Sequence, residues 1–255
     1  MALPLTGSTA LVTGASSGIG EATARLLAAR GAHVALIARR RERLERIAGE
    51  IAQQGGRAVV VEADITDPAA AYNAVEEAAA ALGQLDIVIN NAGLMLLGEV
   101  ESSPVDEWER MMEINVMGLL YVSKAALPHL LRGAESSPRK VSDLVNVSSV
   151  AGRKAGPTRA VYNLTKFGVG AFSEALRQEV TGRHVRVSLI EPGVVATELM
   201  SHLRPEVRDQ FMSGPYAQME PLQPIDVAEA IEYVVSRPRR AAVNELLVRP
   251  TEQVF

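Results

Sequence analysis

Tyr162 and Lys166 stand four residues apart in the run NVSSVAGRKAGPTRAVYNLTK, from Asn146 to Lys166. On a helix that spacing puts a phenol and an ammonium group on one face, one turn from each other. A phenol is a poor acid at neutral pH, with an ordinary pKa of about 10, and a neighbouring ammonium favours the phenolate and draws that value down. Such a pair is a tuned proton donor. The run itself reads as the end of an apolar strand (Leu144 to Val147), a polar turn holding Ser148 and Ser149, a Gly/Lys/Pro loop, and a helix opening after Pro157. If the loop folds the strand end back over the helix, the Ser149 hydroxyl joins Tyr162 and the two can hydrogen-bond one carbonyl oxygen. Tyr and Lys at this spacing also occur on many solvated helix faces, so the pair takes its weight from the elements that must position it.

Those elements begin with Ala10 to Val12, a short apolar run that stops at Thr13-Gly14, followed by a helical pattern from Gly18 with Ala22, Leu26 and Leu27 on one face. Gly14, Gly18 and Gly20 are spaced as TGxxxGxG. Strand, glycine turn and helix together make a phosphate site, because a backbone without Cβ turns sharply and lets a diphosphate reach the free N–H groups of the helix N-terminus. His33 to Ala38 form the second strand, with Arg39, Arg40 and Arg41 directly after it. In a dinucleotide fold this strand end, about 20 residues past the glycine turn, meets the adenosine ribose; an acid there suits a free 2′-hydroxyl and an arginine a 2′-phosphate. Arginine without an acid points to NADP(H) rather than NAD(H).

Further along, a helix with Leu44, Ile47 and Ile51 precedes a strand at Ala58 to Val61 that runs out at Asp64-Ile65. Asp67-Pro68 is a helix start, and the alanine-rich helix to Leu82 leads to a fourth strand, Leu85 to Ile89, stopping at Asn90-Asn91-Ala92-Gly93. Trp108 to Leu131 reads as one long helix ended near Pro128, with Asn115 among apolar neighbours. That amide either ties to nearby backbone or holds water beside the site. Gly133 to Ser142 reads as a connecting loop, and the site helix continues to about Val180. Val185 to Ile190 make a strand ending in Glu191-Pro192-Gly193, and Thr197 caps the next helix or touches ligand. The Met-, Pro- and Gly-rich residues 199–224 suit a substrate lid, Asp226 starts a last helix, and Glu245 to Val248 give a seventh strand. Strands alternating with helices predict one domain over residues 1–255: an α/β, Rossmann-type doubly wound sheet of about seven mostly parallel strands with helices on both faces. Ligands then sit beyond the carboxyl ends of the strands, where the glycine turn, Asp64, Asn90 to Gly93 and Ser149 converge.

Bulk properties narrow the chemistry. In 255 residues with a net charge of −4 there is no general attraction to nucleic acid or to an anionic membrane. With no cysteine, disulfides, thiolate nucleophiles and Cys-ligated metals are excluded, and His33, His129, His184 and His202 are scattered without metal-ligand spacing. The first residues, MALPLTGSTALVTG, carry no basic, apolar leader pattern, and no stretch approaches 18 uninterrupted apolar residues. A cytoplasmic protein without a metal is the expectation.

TGASSGIG (Thr13 to Gly20), NNAG (Asn90 to Gly93), Asn115, Ser149 thirteen residues before Tyr162, YNLTK (Tyr162 to Lys166) and PGVVAT (Pro192 to Thr197) occur in this order. Together they resemble the classical short-chain dehydrogenase/reductase family over almost the whole chain. The resemblance implies a homodimer or homotetramer and a catalytic set of Asn115, Ser149, Tyr162 and Lys166, selecting Ser149 over Ser148 and a water-holding role for Asn115. Tyr162 is then the general acid in reduction, Ser149 orients the carbonyl, and Lys166 binds the nicotinamide ribose while lowering the Tyr162 pKa. It implies further that Gly14, Ser16, Ser17, Gly18, Ile19 and Gly20 hold the coenzyme phosphates, with Arg39 and Arg40 at the adenosine ribose. Asp64 and Ile65 flank adenine, Asn91, Ala92 and Gly93 line the ribose side, and Pro192, Gly193, Val195 and Thr197 complete the cofactor site.

The ending VNELLVRPTEQVF replaces the glycine-rich tail of many relatives. With NNAGLMLLGEVE and IEPGVVATEL it is similar to the subgroup of clavulanate-type aldehyde reductases and NADP-dependent 3-hydroxy acid (serine or allo-threonine) dehydrogenases. This implies reduction of a small or medium carbonyl compound, with secondary metabolism as one setting, and argues against a fatty-acyl carrier substrate. A 3-hydroxy acid dehydrogenase is the alternative within the class, with Arg153, Lys154 or Arg159 meeting the substrate carboxylate. A non-catalytic dinucleotide sensor is the alternative outside it, although a sensor has no need of Ser149, Tyr162 and Lys166.

Overall fold

Seven parallel strands form one sheet in the order β3-β2-β1-β4-β5-β6-β7. They are β1 (Thr9–Thr13), β2 (His33–Ala38), β3 (Arg57–Glu62), β4 (Ile87–Asn90), β5 (Ser142–Val147), β6 (Val185–Pro192) and β7 (Glu245–Val248). The computed structural model describes residues 3–214 and 218–254. β1, β4 and β5 are buried along their length, as strands covered on both faces must be, with apolar cores at Ala10–Val12, Ile87–Ile89 and Leu144–Val145. The order reverses between β1 and β4, which opens a crevice at their carboxyl ends. All seven strands are parallel, where the sequence led us to expect most of them to be.

Helices α1 (Gly18–Ala29), α2 (Arg41–Gln53) and α8 (Pro224–Val235) cover one face, where Leu27, Leu44, Ile47 and Ile231 join Val12, Leu36 and Ile89. On the other face α3 (Pro68–Leu82), α5 (Leu119–Ser136) and α6 (Ala160–Val180) bring Val75, Val122 and Leu176 against Leu11, Val88 and Leu144. Local signals placed several ends correctly. Asp67 caps α3 by accepting the Ala70 N–H at 2.6 Å, and Gly83 ends that helix in the left-handed region at φ +83°. Asp226 sits in the first turn of α8 rather than starting it: the helix begins at Pro224, and Asp226 accepts the Gln223 N–H at 2.7 Å in a capping box.

Two expectations need correction. The helix expected over Trp108 to Leu131 is three segments: α4 (Val105–Met112), a π-helical turn Glu113–Gly118 that carries Asn115, and α5. Pro128 lies inside α5 rather than ending it, at the loss of one ladder hydrogen bond that the packed helix tolerates. By length and composition the run Val105–Ser136 would reach across a bilayer, but it packs against α3, β4 and β5 as a core helix does. The connecting loop is shorter than Gly133 to Ser142, because α5 runs to Ser136 and β5 starts at Ser142. Arg139 in that loop pairs with buried Asp143 at 2.7 Å, so the connection also closes the core.

The segment expected to form a lid, 199–224, begins within a 3₁₀ turn, Glu198–His202, and α7 (Pro205–Ser213) follows. Residues 215–217 of that segment lie outside the described residues. The chain returns beside its starting point, since Leu222 donates to the Val194 carbonyl at 3.0 Å and accepts from the Ala196 N–H at 2.8 Å.

Candidate active site

β1 delivers the glycine turn to the crevice and β4 delivers the Asn90–Gly93 turn beside it. Thr13 joins the two: its hydroxyl accepts the N–H groups of Asn91 and Ala92 at 3.0 and 3.1 Å, while Asn91 Nδ2 donates back to the Thr13 carbonyl at 3.0 Å. Thr13 received no role from the sequence, and its only signal was its place at a strand end before glycine. Two glycines are required by geometry. Gly14 has φ +65°, with Ala92 Cα 2.9 Å from where a Cβ would stand. A Cβ on Gly20 would lie 2.3 Å from the Gly14 carbonyl oxygen, so only glycine lets α1 press against the turn.

β5 ends at Val147 and the chain folds back over α6. Ser148 and Ser149 then diverge: the Ser148 hydroxyl donates to the Lys166 carbonyl at 3.1 Å, and the Ser149 hydroxyl donates to the Pro192 carbonyl at 3.5 Å while standing beside the Tyr162 phenol, whose ionisation it favours. Ser149 also opens the 3₁₀ turn Val150–Gly152 by accepting the Ala151 N–H at 3.1 Å. Asn163 holds the fold-back, donating to the Ala151 and Lys154 carbonyls at 2.6 and 3.1 Å and accepting from the Gly156 N–H at 3.2 Å. Ser149, Tyr162 and Lys166 are therefore brought together as their order suggested.

The electrostatics differ from the expectation. Burial pushes the Tyr162 phenol up to about 12, against the Ser149 hydrogen bond and the Arg159 charge, which both favour ionisation. Burial also brings the Lys166 ammonium down to about 8. The Lys166 Nζ donates to the Val147 carbonyl at 3.0 Å and stands 5.8 Å from the Tyr162 ring centroid. Desolvation thus outweighs the Ser149 hydrogen bond and the Arg159 charge, and the Tyr162 pKa moves up rather than down as its spacing from Lys166 suggested.

Asn115 is buried behind the crevice. Its Oδ1 accepts the Leu94 N–H at 2.7 Å, and its Nδ2 donates to the Leu94 carbonyl at 2.8 Å and to Thr165 Oγ1 at 3.2 Å. The side chain serves first as a tie between the π turn, α6 and the 92–97 segment, which is the backbone-tie alternative raised by the sequence.

The remaining predicted residues converge on one cleft of about 380 Å³. Gly14 and Ser16 to Ile19 form its floor, Arg39 and Arg40 one bank, and Asp64 and Ile65 its adenosine end. Asn91 to Gly93, then Pro192, Gly193, Val195 and Thr197, carry it to Ser149, Tyr162 and Lys166. Of the residues expected to form the coenzyme site and the catalytic set, Gly20 and Asn115 do not line it, and both pack directly behind; of the three cations considered for a substrate carboxylate, Arg153 and Lys154 do not line it either. The three arginines separate. Arg40 donates to the Ser16 and Ser17 hydroxyls at 2.8 and 2.7 Å, Arg39 is exposed and 3.7 Å from Asp64, and Arg41 turns away to Glu45. Thr197 caps the 3₁₀ turn, accepting the Leu199 N–H at 3.3 Å. Arg153 is corrected as a candidate for a substrate carboxylate, because it is paired with buried Glu191 at 2.6 Å and with Glu245. Arg159 lines the cleft beside Tyr162.

A glycine-bounded floor beside a helix N-terminus, with arginine at the far end and a buried Ser-Tyr-Lys group at the near end, fits a dinucleotide and a carbonyl compound set end to end. Among the described residues no cluster of His, Asp or Glu gathers as a metal site requires. Residues 8–208 match the family model for short chain dehydrogenases. An uncharacterized oxidoreductase of Staphylococcus saprophyticus is 37% identical over 245 residues, covering 95% of this chain and 96% of its own length. The closed form of a serine dehydrogenase complexed with NADP+ superposes with a TM-score of 0.87 at 32% identity, covering 97% of this chain and 96% of that one. A 3-ketoacyl-(acyl-carrier-protein) reductase from Brucella melitensis complexed with NADH gives 0.84 at 31% identity, covering 97% and 99%. The chain belongs to the short-chain dehydrogenase family and is an oxidoreductase.

Proposed function

We propose that the protein is an NADP(H)-dependent carbonyl reductase acting in the cytoplasm as a homodimer or homotetramer on a small or medium aldehyde or ketone. The observation that carries this reading is the Ser149–Tyr162–Lys166 group, buried at one end of a cleft whose other end holds Arg40 on the two serines of the glycine turn. Arginine and no acid at the end of β2 supports a 2′-phosphate. The similar structures carry NADP+ in one case and NADH in the other, and the arginines favour NADP(H) here.

Bound coenzyme supplies the hydride. Lys166 and the 91–93 turn would hold its nicotinamide ribose, Ser16 to Gly20 its diphosphate, and Arg39 with Arg40 its 2′-phosphate. Tyr162 donates a proton to the carbonyl oxygen, and Ser149 holds that oxygen in line by a second hydrogen bond. In the oxidative direction the same phenol takes the proton back. Leu94, Met95, Ile114, Met200 and Phe211 give the substrate end an apolar wall, which suits a neutral carbon chain, with residues 199–224 as its lid. Exposed Met117, Leu164 and Phe167 support an oligomer contact on the side of α6.

Arg159 favours a second reading. A cation that lines the cleft and acts on Tyr162 could receive the carboxylate of a 3-hydroxy acid, the substrate class of the subgroup the chain resembles.

Hydride transfer from NADPH and from NADH to matched neutral and ω-carboxylated aldehydes tests these readings together. Preference for the neutral series supports the first, and preference for the carboxylated series that is lost in Arg159→Gln supports the second. Tyr162→Phe should lower turnover about 10²–10⁴-fold with NADPH affinity nearly unchanged. Tight NADPH binding without hydride transfer to any carbonyl compound would leave a sensor.

A further inference from the structure

Arg40 stands at the N-terminus of α2, where the coenzyme phosphate is expected, and its guanidinium has a third partner besides the two serines. Nη1 donates to Glu198 Oε2 at 2.7 Å, and Arg43 Nη1 donates to Glu198 Oε1, also at 2.7 Å. Glu198 is the first residue of the 3₁₀ turn capped by Thr197, on the opposite bank of the cleft. A carboxylate at the start of that turn, just before the segment 199–224, therefore reaches across the phosphate floor and takes the arginine that the proposed function assigns to the 2′-phosphate.

We propose that Glu198 is a coenzyme-discriminating residue, competing with the 2′-phosphate for Arg40 and so linking recognition of that phosphate to the seating of residues 198–213. The inference rests on the NADP(H) reading. A phosphate monoester carries up to two charges and three acceptor oxygens against the single charge of a carboxylate, so it wins the guanidinium when it is present. A 2′-hydroxyl is neutral and cannot displace a carboxylate held by two arginines. NADPH binding thus frees Glu198 from Arg40, whereas NADH leaves the bridge closed over it. Both partners are close to half exposed, at 43% and 45% of their side-chain surface, so the competition is worth a modest factor rather than an absolute block.

Glu198→Gln keeps the shape and removes the charge. Dissociation constants for NADPH and NADH, read from nicotinamide fluorescence in the full-length wild type and variant, should show NADPH tightened about three- to tenfold and NADH unmoved. Hydrogen exchange over residues 198–213 should be faster in the wild type with NADPH than with NADH, and the two coenzymes should give the same rate in the variant. Unchanged or weaker NADPH binding in the variant overturns the inference, as does an equal shift for both coenzymes. A wild type that binds NADH as tightly as NADPH removes the coenzyme reading and the inference with it. A wild type that prefers NADPH beside a variant with the same constants removes the inference alone.

Discussion

Lys166 is an ammonium group with almost no access to water, and its burial has a definite sign for folding. Its pKa in the folded chain is about 8, against 10.5 for the free side chain. Between those values the unfolded chain keeps a proton that the folded chain has released, so this residue makes stability rise with pH across that window. Below pH 8 its burial costs about 3 kcal/mol. Lys166→Met should therefore stabilise the coenzyme-free protein at pH 7 by about 1–2 kcal/mol, after loss of the hydrogen bond to Val147. That is roughly 3–6 °C in Tm for a chain of this size. The gain should shrink towards pH 10, and melting curves of both proteins at pH 7 and pH 10 decide the matter; an identical difference at the two pH values rules the account out. The Tyr162 phenol runs the other way, because a pKa raised to about 12 makes stability fall between pH 10 and 12. The pairing of Tyr162 with Lys166 was legible in their spacing, but the direction of the Tyr162 shift was not. Desolvation depends on what covers a group, and much of the cover comes from Leu94 and Leu203, distant in sequence.

At the scale of elements, the glycine turn and α1 form one rigid unit. Gly20→Ala places a methyl carbon 2.3 Å from the Gly14 carbonyl oxygen and 2.5 Å from Asn91 Nδ2, forcing apart the turns that end β1 and β4. We expect a stability loss of about 1–3 kcal/mol together with coenzyme affinity weakened at least tenfold, measured by denaturant titration and by fluorescence. Gly49→Ala is the control. Its Cβ meets nothing within 4 Å on the exposed side of α2, and a gain of about 0.5–1 kcal/mol with unchanged affinity should follow. A Gly20 variant that kept wild-type affinity would show that the close approach has no part in coenzyme binding. Strands, the glycine turn and the α3 cap could be read in advance because apolar runs, Gly spacing and Asp-Pro are local signals. The break in the Val105–Ser136 helix could not, because the π turn sits where Asn115 must face Leu94, a partner known only once the chain has folded. Glu198 was illegible for the same reason, lying 158 residues from the arginine it meets.

Across the whole molecule, function and stability occupy opposite ends of the sheet. The cleft lies at the carboxyl ends of the strands, whereas the amino end of β5 holds Asp143, fully buried between Arg139 at 2.7 Å and Arg186 at 2.7 and 3.0 Å. Arg186 also donates to the carbonyls of Val235, Arg237, Pro238 and Ala241, so one carboxylate fixes the cation that fastens the end of α8 to β6. An isolated buried charge is far more costly than a complete pair, and removing the shared anion leaves Arg186 without a carboxylate partner and Arg139 with the nearby charge of Asp86. Asp143→Asn preserves the volume and removes only the charge, so the loss should fall near 3–5 kcal/mol, a large part of the stability of a protein of this kind. The strand from Asp143 to Val147, about 13 Å long, and then the turn at Ser148 separate Asp143 from Ser149. Below its melting temperature the variant should therefore keep KM for coenzyme and the kcat of whatever carbonyl substrate is used. Equilibrium unfolding and steady-state kinetics on the same sample separate the two quantities. A fall in kcat with stability intact would mean that the amino end of the sheet communicates with the Ser149–Tyr162–Lys166 group, and the division between a stabilising end and a reacting end would have to be abandoned.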